Sequence, residues 1–322
     1  MNRILRMIVT VSMLAGGLGM APLAVAGASS HVVAVWTEPQ AGYGFIDSAI
    51  SAAHRRIDLS MYELTDPAIV AALIAAERRG VAVRVVLDKA YSGGYENQGA
   101  YAQLSAAHVD VRWAPASTIY HAKYMVIDEA RAYVGTGNFT SQWYSSTRDF
   151  WVEDTAPADV AAIERVFGAD VSGRAVSVAN TSSLVWSPGA EGYLQALIGR
   201  AHHTLAIENE EMYSYGIEDA LVAAAQRGVN VTVVMTQNSR DSSDLSYLSR
   251  HGVHVHLIAA SGLYIHAKVI CVDCSGSRGT VYIGSQNFST ASLDYNRELG
   301  LVTTAPAVVR AVASAVASDA RR

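Results

Sequence analysis

Two short segments of the sequence carry the same set of reactive side chains. The first reads His121-Ala122-Lys123, then Asp128, then Gly135-Thr136-Gly137-Asn138. The second reads His266-Ala267-Lys268, then Asp273, then Gly284-Ser285-Gln286-Asn287. Two imidazoles that titrate near neutrality, two ammonium groups and two side-chain amides form a donor-rich set, suited to an anionic oxygen cluster flanked by one nucleophile and one acid. Phosphoryl transfer uses such a set directly. Lys123, Lys268, Asn138 and Asn287 would hold the non-bridging oxygens, one histidine would attack phosphorus, and the other would protonate the departing oxygen.

The elements around these residues are expected to aim them. Residues 124–127 and 269–272 are apolar and strand-like, so side chains alternate between faces. His121 and Lys123 then share one face, as do His266 and Lys268. Asp128 and Asp273 fall on the other, and are read as structural residues that pair with backbone donors at the following turn rather than as catalytic groups.

Both segments sit in a duplication. Arg79-Gly80-Val81, followed by Val83, Val85 and Val86, returns 148 positions later as Arg227-Gly228-Val229, followed by Val231, Val233 and Val234. Each half reads as a helix (44–56; 191–202), a short strand (57–62; 204–208), a second helix (67–79; 217–227) and a valine-rich strand (81–87; 229–235). Continuous apolar strands alternating with helices imply strands buried on both faces. The expected architecture is α/β, with two homologous α/β/α sandwich halves related by a pseudo-twofold axis. Residues 27–172 form the first half and 188–322 the second, with a Gly-, Ser-, Asn- and Thr-rich linker at 173–187.

Composition bounds the remaining possibilities. The chain of 322 residues is 51% hydrophobic and 16% charged, which excludes disorder and coiled coil. With 24 basic against 29 acidic residues its formal charge is −5, the wrong sign for a protein that holds nucleic acid along a basic surface. Residues 1–26 read as a cleaved signal peptide: Arg3 and Arg6 precede an apolar run broken by glycines and Pro22, and Ala24-Val25-Ala26 suits a signal peptidase. Secretion or a periplasmic location follows from it. Its removal takes two arginines and no acid, so the remaining chain is more acidic. Cys271 and Cys274 are the only cysteines, read as a structural pair, bonded or free. His254 and His256, near His251, have no cysteine or carboxylate at ligand-like spacing and read as a solvated strand. Glu63 and Glu211 are repeat-equivalent, which admits a role near the cleft mouth beside the plainer reading of acids that only solvate a loop.

The two His-x-Lys-x4-Asp segments, each followed by Gly-[Ser/Thr]-x-Asn, resemble the twin motif of the phospholipase D superfamily, the HKD enzymes, and the duplication covers essentially all of the chain beyond residue 26. The resemblance implies a single active site at the interface of two α/β/α halves, a covalent phosphohistidine intermediate, and no cofactor or metal requirement. It assigns His121 as nucleophile and His266 as general acid, then base. It also implies an acidic residue downstream of each motif to orient its histidine. Asn296-Arg297-Glu298 keeps the common form and gives Glu298 to His266. Thr147-Arg148-Asp149 departs from it and gives Asp149 to His121.

Family resemblance fixes the bond type better than the substrate. Export and acidity favour phospholipid at a membrane surface, with hydrolysis and transphosphatidylation as the reactions; the loop aromatics Tyr91, Tyr95, Tyr101, Tyr120, Trp143, Tyr144, Tyr213, Tyr215 and Tyr264 are compatible with an acyl-chain or headgroup pocket, but ordinary packing is the plainer reading for most of them. A secreted, metal-independent nuclease is the alternative, since the same aromatics can stack bases. No obligate protein partner is indicated, and the expected state is a monomer.

Overall fold

The computed structural model describes residues 31–275 and 279–322. The expected signal peptide at 1–26 and part of the second-motif insertion lie outside these residues. Two seven-stranded sheets carry the fold, and they have the same topology. The first runs Val32–Thr37, Phe150–Asp154, Arg131–Gly135, Tyr124–Ile127, Arg56–Met61, Ala82–Leu87, Asp110–Trp113. The second repeats that order as Leu184–Ser187, Glu298–Thr303, Thr280–Gly284, Lys268–Val272, Thr204–Asn209, Asn230–Thr236, His254–Ile258. Parallel pairing on one side of each sheet gives way to antiparallel pairing at the motif strand, as between Arg56–Met61 and its neighbours Ala82–Leu87 and Tyr124–Ile127.

The local signals that build these elements are repeated too. Asp66 caps the helix Pro67–Arg78 by accepting from the Ala68 N–H, with proline in the first turn, and Ser214 caps Tyr215–Gln226 by accepting from the Ile217 N–H. Both helices end at an Arg-Gly junction where Gly80 and Gly228 adopt φ of +89° and +87°, a conformation that glycine alone enters without strain. Leu184–Ser187, which composition assigns to the linker, is instead the edge strand of the second sheet, pairing with Glu298–Thr303. Only residues 172–183 connect the halves without regular structure. The polar residues around this four-residue strand hide it from a reading by composition.

The two sheets face each other across a shared apolar layer. Phe167 from the helix Pro157–Val171 and Val312 from Pro306–Asp319 pack there with Val152, Trp186, Ile283 and Leu299 from both sheets. Separate cores lie under the outer helices of each half. The halves therefore form one continuous interior. Within it, Arg148 of the first half is bidentate to Asp319 of the second, with Nε 2.6 Å from Oδ2 and Nη2 3.1 Å from Oδ1. Its counterpart Arg297 lies 3.4 Å from Asp170 in the first half and over the Tyr120 ring. Cys271 and Cys274 form a disulfide at the end of the second motif strand. His254 and His256 are exposed on an edge strand, and no group of three metal-ligating side chains occurs among the described residues.

Asp128 and Asp273 act structurally, but toward the chain entering the neighbouring strands Arg56–Met61 and Thr204–Asn209 rather than the turn after them. Asp128 accepts from the backbone N–H of His54, Arg55 and Arg56, and Asp273 from His202, His203 and Thr204. Both hold φ near +50°, which a short polar side chain tolerates. Their carboxyls feel some desolvation, but the three N–H donors outweigh it and hold them below the usual range.

Asp128→Ala is expected to lower stability by about 2 kcal/mol, read as a lower urea midpoint at unchanged slope. Because the folded carboxyl titrates below the unfolded one, this stabilisation is present above about pH 4 and lost as pH falls through the folded value, so the gap between wild type and variant should close in acid. Arg148→Met should destabilise by roughly 3 kcal/mol by leaving the buried Asp319 with Arg322 alone as its partner, and Asp319→Leu in the same chain should restore part of the loss.

Candidate active site

Each motif histidine is gripped by the opposite half. The backbone N–H groups of His121 and Ala122 donate to the Arg297 carbonyl at 2.9 and 3.0 Å, and that of His266 donates to the Arg148 carbonyl at 3.2 Å. Thr147–Arg148 pairs in parallel with Tyr264–Ile265, and Tyr120 bridges to Arg297 in the equivalent way. The segments that lead into the histidines are thus added as short strands to the segments that carry the downstream acids.

This exchange crosses the carboxylates. His121 Nδ1 is 2.9 Å from Oε2 of Glu298, and His266 Nδ1 is 2.8 Å from Oδ1 of Asp149. The family-based pairing of Glu298 with His266 and Asp149 with His121 is therefore corrected: each acid orients the histidine of the other half. The reason is the interlocked pairing of strands, which brings each acid-bearing segment alongside the partner motif. A carboxylate only accepts, so each Nδ1 carries a proton, and Nε2 faces the cleft as a lone pair in the neutral ring or as a donor in the imidazolium.

The carboxylates are themselves held. Glu298 accepts from Ser292 Oγ and from Asn296 Nδ2, and Asp149 accepts from Thr136 Oγ1 at 2.6 Å. A Cβ on Gly137 would lie 2.8 Å from the Asp149 carboxyl carbon, so glycine is what permits the approach. Burial pushes both carboxyls up, but the facing imidazoles and the motif lysines more than reverse it. Burial moves His121 the other way: despite Glu298, its imidazole is held below the ordinary value, with Lys123 and Lys268 adding to the effect. The balance favours the neutral form of His121.

Both motif lysines are fully buried, and each donates to the carbonyl of its own histidine. Lys123 lies 4.9 Å from the Tyr62 ring centre, and burial, together with the charge of Lys268, brings its ammonium down to about 7. Lys268 instead pairs with Glu210 at 2.8 Å. Burial would raise the Glu210 carboxyl, but Lys268 and His266 hold it well below the carboxylate range. The motif scan passes over Glu210; the repeat offset, which sets it opposite Tyr62, is the signal that marks it as unusual.

All eight expected catalytic residues converge. His121, His266, Asn138, Asn287 and Asp149 line one cleft of about 650 Å³, while Lys123, Lys268 and Glu298 lie against it through the contacts above. Asn138 and Asn287 each leave Oδ1 without a partner. Of the aromatic residues singled out by sequence, Tyr91, Trp143, Tyr144 and Tyr264 line the cleft, joined by Tyr43 and Tyr62. Tyr101 stacks on Trp113, and Tyr120 belongs to the contact between halves. Glu63 and Glu211 also line the cleft, as their matched positions suggest.

Comparisons with known proteins agree with this geometry. The model of the cardiolipin synthase, phospholipase D-like domain matches twice, at residues 46–171 and 194–319. A phospholipase D of Rickettsia conorii is 33% identical over 112 residues, which are 35% of this chain and 55% of that protein. The mitochondrial cardiolipin hydrolase of Xenopus laevis is 31% identical over 97 residues, 30% of this chain and 45% of that protein. The chain thus spans about half the length of these curated relatives. Among solved structures, phosphatidylserine synthase of Haemophilus influenzae superposes with a TM-score of 0.70 at 12% identity, covering 92% of this chain and 87% of that one. Polyphosphate kinase of Porphyromonas gingivalis gives 0.66 at 18% identity, over 87% and 49%. At such identities the structural likeness speaks for the fold. With the domain model covering most of both halves, the chain belongs to the phospholipase D-like family and carries its domain twice.

Proposed function

We propose that the protein is a phospholipase D-type phosphodiesterase that acts on phospholipids through a covalent intermediate on His121. The observation that carries this reading is the pair of imidazoles, each fixed at Nδ1 by a buried carboxylate, set with two buried lysines at one cleft.

In the first step His121 Nε2 attacks phosphorus, the bond from phosphorus to the leaving oxygen breaks, and His266 gives that oxygen its proton. Lys123, Lys268, Asn138 and Asn287 hold the non-bridging oxygens. In the second step water attacks the same phosphorus, the N–P bond breaks, and His266 takes the proton released by water. An alcohol in place of water gives transphosphatidylation. His121 suits the nucleophile's role because its neutral form is favoured and Glu298 holds its Nδ1 proton.

Support for phospholipid comes from the cleft, where Glu63, Glu210 and Glu211 accompany the aromatic lining. Glu63 and Glu211 at the cleft repel a polyanion held along a surface. The names of the relatives, phospholipase D and cardiolipin hydrolase, point the same way. Export through residues 1–26 would bring the enzyme to lipid outside the cytoplasm.

With phosphatidylcholine and ethanol as substrates, and nucleic acid in parallel, phosphatidylethanol is the expected product. Cutting of nucleic acid alone would overturn the phospholipid reading in favour of a nuclease. Activity should persist in a chelator, and its loss there would refute the metal-free mechanism. His121→Ala should lower the rate roughly a thousandfold or more and abolish the covalent adduct, whereas His266→Ala should still form it with a 4-nitrophenyl leaving group. The crossed pairing adds that Glu298→Gln slows adduct formation with every leaving group, while Asp149→Asn slows it mainly with poor ones.

The pH profile of kcat/KM should be bell-shaped and lie low. Rates fall in acid as His121, held below its ordinary value near 6.5, takes up a proton and ceases to be a nucleophile. They fall again as pH rises past about 7, where Lys123 loses the charge that binds phosphate. A plateau extending to pH 9 would remove Lys123 from that role.

A further inference from the structure

The two phosphate-binding halves of the cleft are not equivalent, and the difference is a single carboxylate. Glu210 Oε2 accepts from Lys268 Nζ at 2.8 Å and from Asn287 Nδ2 at 3.3 Å, and lies 3.6 Å from His266 Nε2. Its other oxygen accepts from Tyr264 OH at 2.7 Å. The lysine, the asparagine and the free histidine nitrogen of the second motif, the groups that would receive a phosphate, thus all face one internal anion. In the first half the matching position is Tyr62, whose uncharged ring faces Lys123.

We propose that Glu210 is an internal counter-anion which fills the second-motif phosphate subsite of the free protein, and that it selects substrates carrying a cation beside the phosphodiester by exchanging Lys268 for that cation. This rests on the phosphodiesterase reading of the site and names what that site prefers. A phosphodiester that takes Lys268 leaves Glu210 without its partner, in a side chain only 21% exposed. A stranded carboxylate at that depth opposes binding. His266, the other cation that Glu210 approaches, is already paired with Asp149 and gives up its proton in the first step, while Glu63 and Glu211 add negative charge at the same cleft, so none of them supplies Glu210 with a lasting replacement for Lys268. A substrate whose phosphate is followed by an ammonium or quaternary ammonium group brings one. One ion pair within the protein becomes two between protein and substrate. Trp143 and Tyr264, which also line the cleft, are side chains of the kind that attract such a cation. A purely anionic diester carries no replacement, and neighbouring phosphates add repulsion.

The test is Glu210→Gln in the full chain, which keeps the shape and removes the charge. Values of kcat/KM are measured for phosphatidylcholine and phosphatidylglycerol in matched mixed micelles and for bis(4-nitrophenyl) phosphate, and the dissociation constant of inorganic phosphate is measured by calorimetry. Wild type should prefer phosphatidylcholine to phosphatidylglycerol. The variant should lose on phosphatidylcholine while gaining on both cation-free diesters, shifting the ratio by about tenfold or more, and it should bind inorganic phosphate more tightly. Glu210→Asp, with its charge retained, should keep the wild-type preference. An equal fall on every substrate, an unchanged ratio, or phosphate binding no tighter in the variant would overturn the proposal. Should wild type cleave bis(4-nitrophenyl) phosphate but neither lipid, the phospholipid reading fails by itself; the counter-anion role then stands or falls on whether the variant gains on that diester and on phosphate.

Discussion

Each imidazole in the site takes its hydrogen-bond acceptor from the other half of the chain, and much of the architecture serves that exchange. An imidazole that is to use its Nε2 in chemistry needs its Nδ1 proton anchored, and here the anchors are Glu298 for His121 and Asp149 for His266. A carboxylate can do this only where burial, neighbouring cations and further donors hold it ionised and in place. Thr136, Ser292 and Asn296 supply the donors, and the apolar layer between the sheets supplies the rigidity. Arg148 and Arg297 connect the two requirements. Their carbonyls receive the N–H groups of the histidine segments, while their guanidinium groups face acids near the ends of the interlayer helices of the opposite half.

Equivalence of fold does not extend to equivalence of charge. The first-motif lysine stands against an aromatic ring and the second against a carboxylate. Gly137 leaves room for Asp149, whereas the matching Gln286 is buried and donates to the Val185 carbonyl, so the second half supports its acid through Ser292. These differences suit a reaction in which one imidazole must begin neutral and the other must deliver a proton. A strictly symmetric site would give both the same environment.

Much of this was legible in the sequence because it follows short-range rules. The Arg-Gly-Val junctions, the apolar strand runs and the helix caps are local signals, and the helices and strands they imply fall within a few residues of those observed. The eight polar residues of the site follow from motif spacing, since two residues apart on an extended segment means one face. The crossing of the carboxylates is different in kind. It depends on which segments pair between halves, 117 and 177 residues apart in the chain, and no periodicity encodes that. Leu184–Ser187 was hidden for another reason: an edge strand of four residues leaves almost no pattern among serines, threonine and asparagine. Glu210 stood among three nearby acids, where nothing in its type distinguishes a residue facing Lys268 from one facing water.

The interlocked pairing of Thr147–Arg148 with Tyr264–Ile265 also bears on how a duplicated chain can evolve. Copies produced by duplication are ordinarily free to drift, since one can fail while the other persists. Here a change beside Asp149 is felt first at His266, and a change beside Glu298 at His121. Loss of either copy would take away the carboxylate that anchors the other's histidine. What remains open to divergence is the set of positions that do not cross over, and Tyr62 and Glu210 form such a pair: there the two copies could become different without ceasing to need each other.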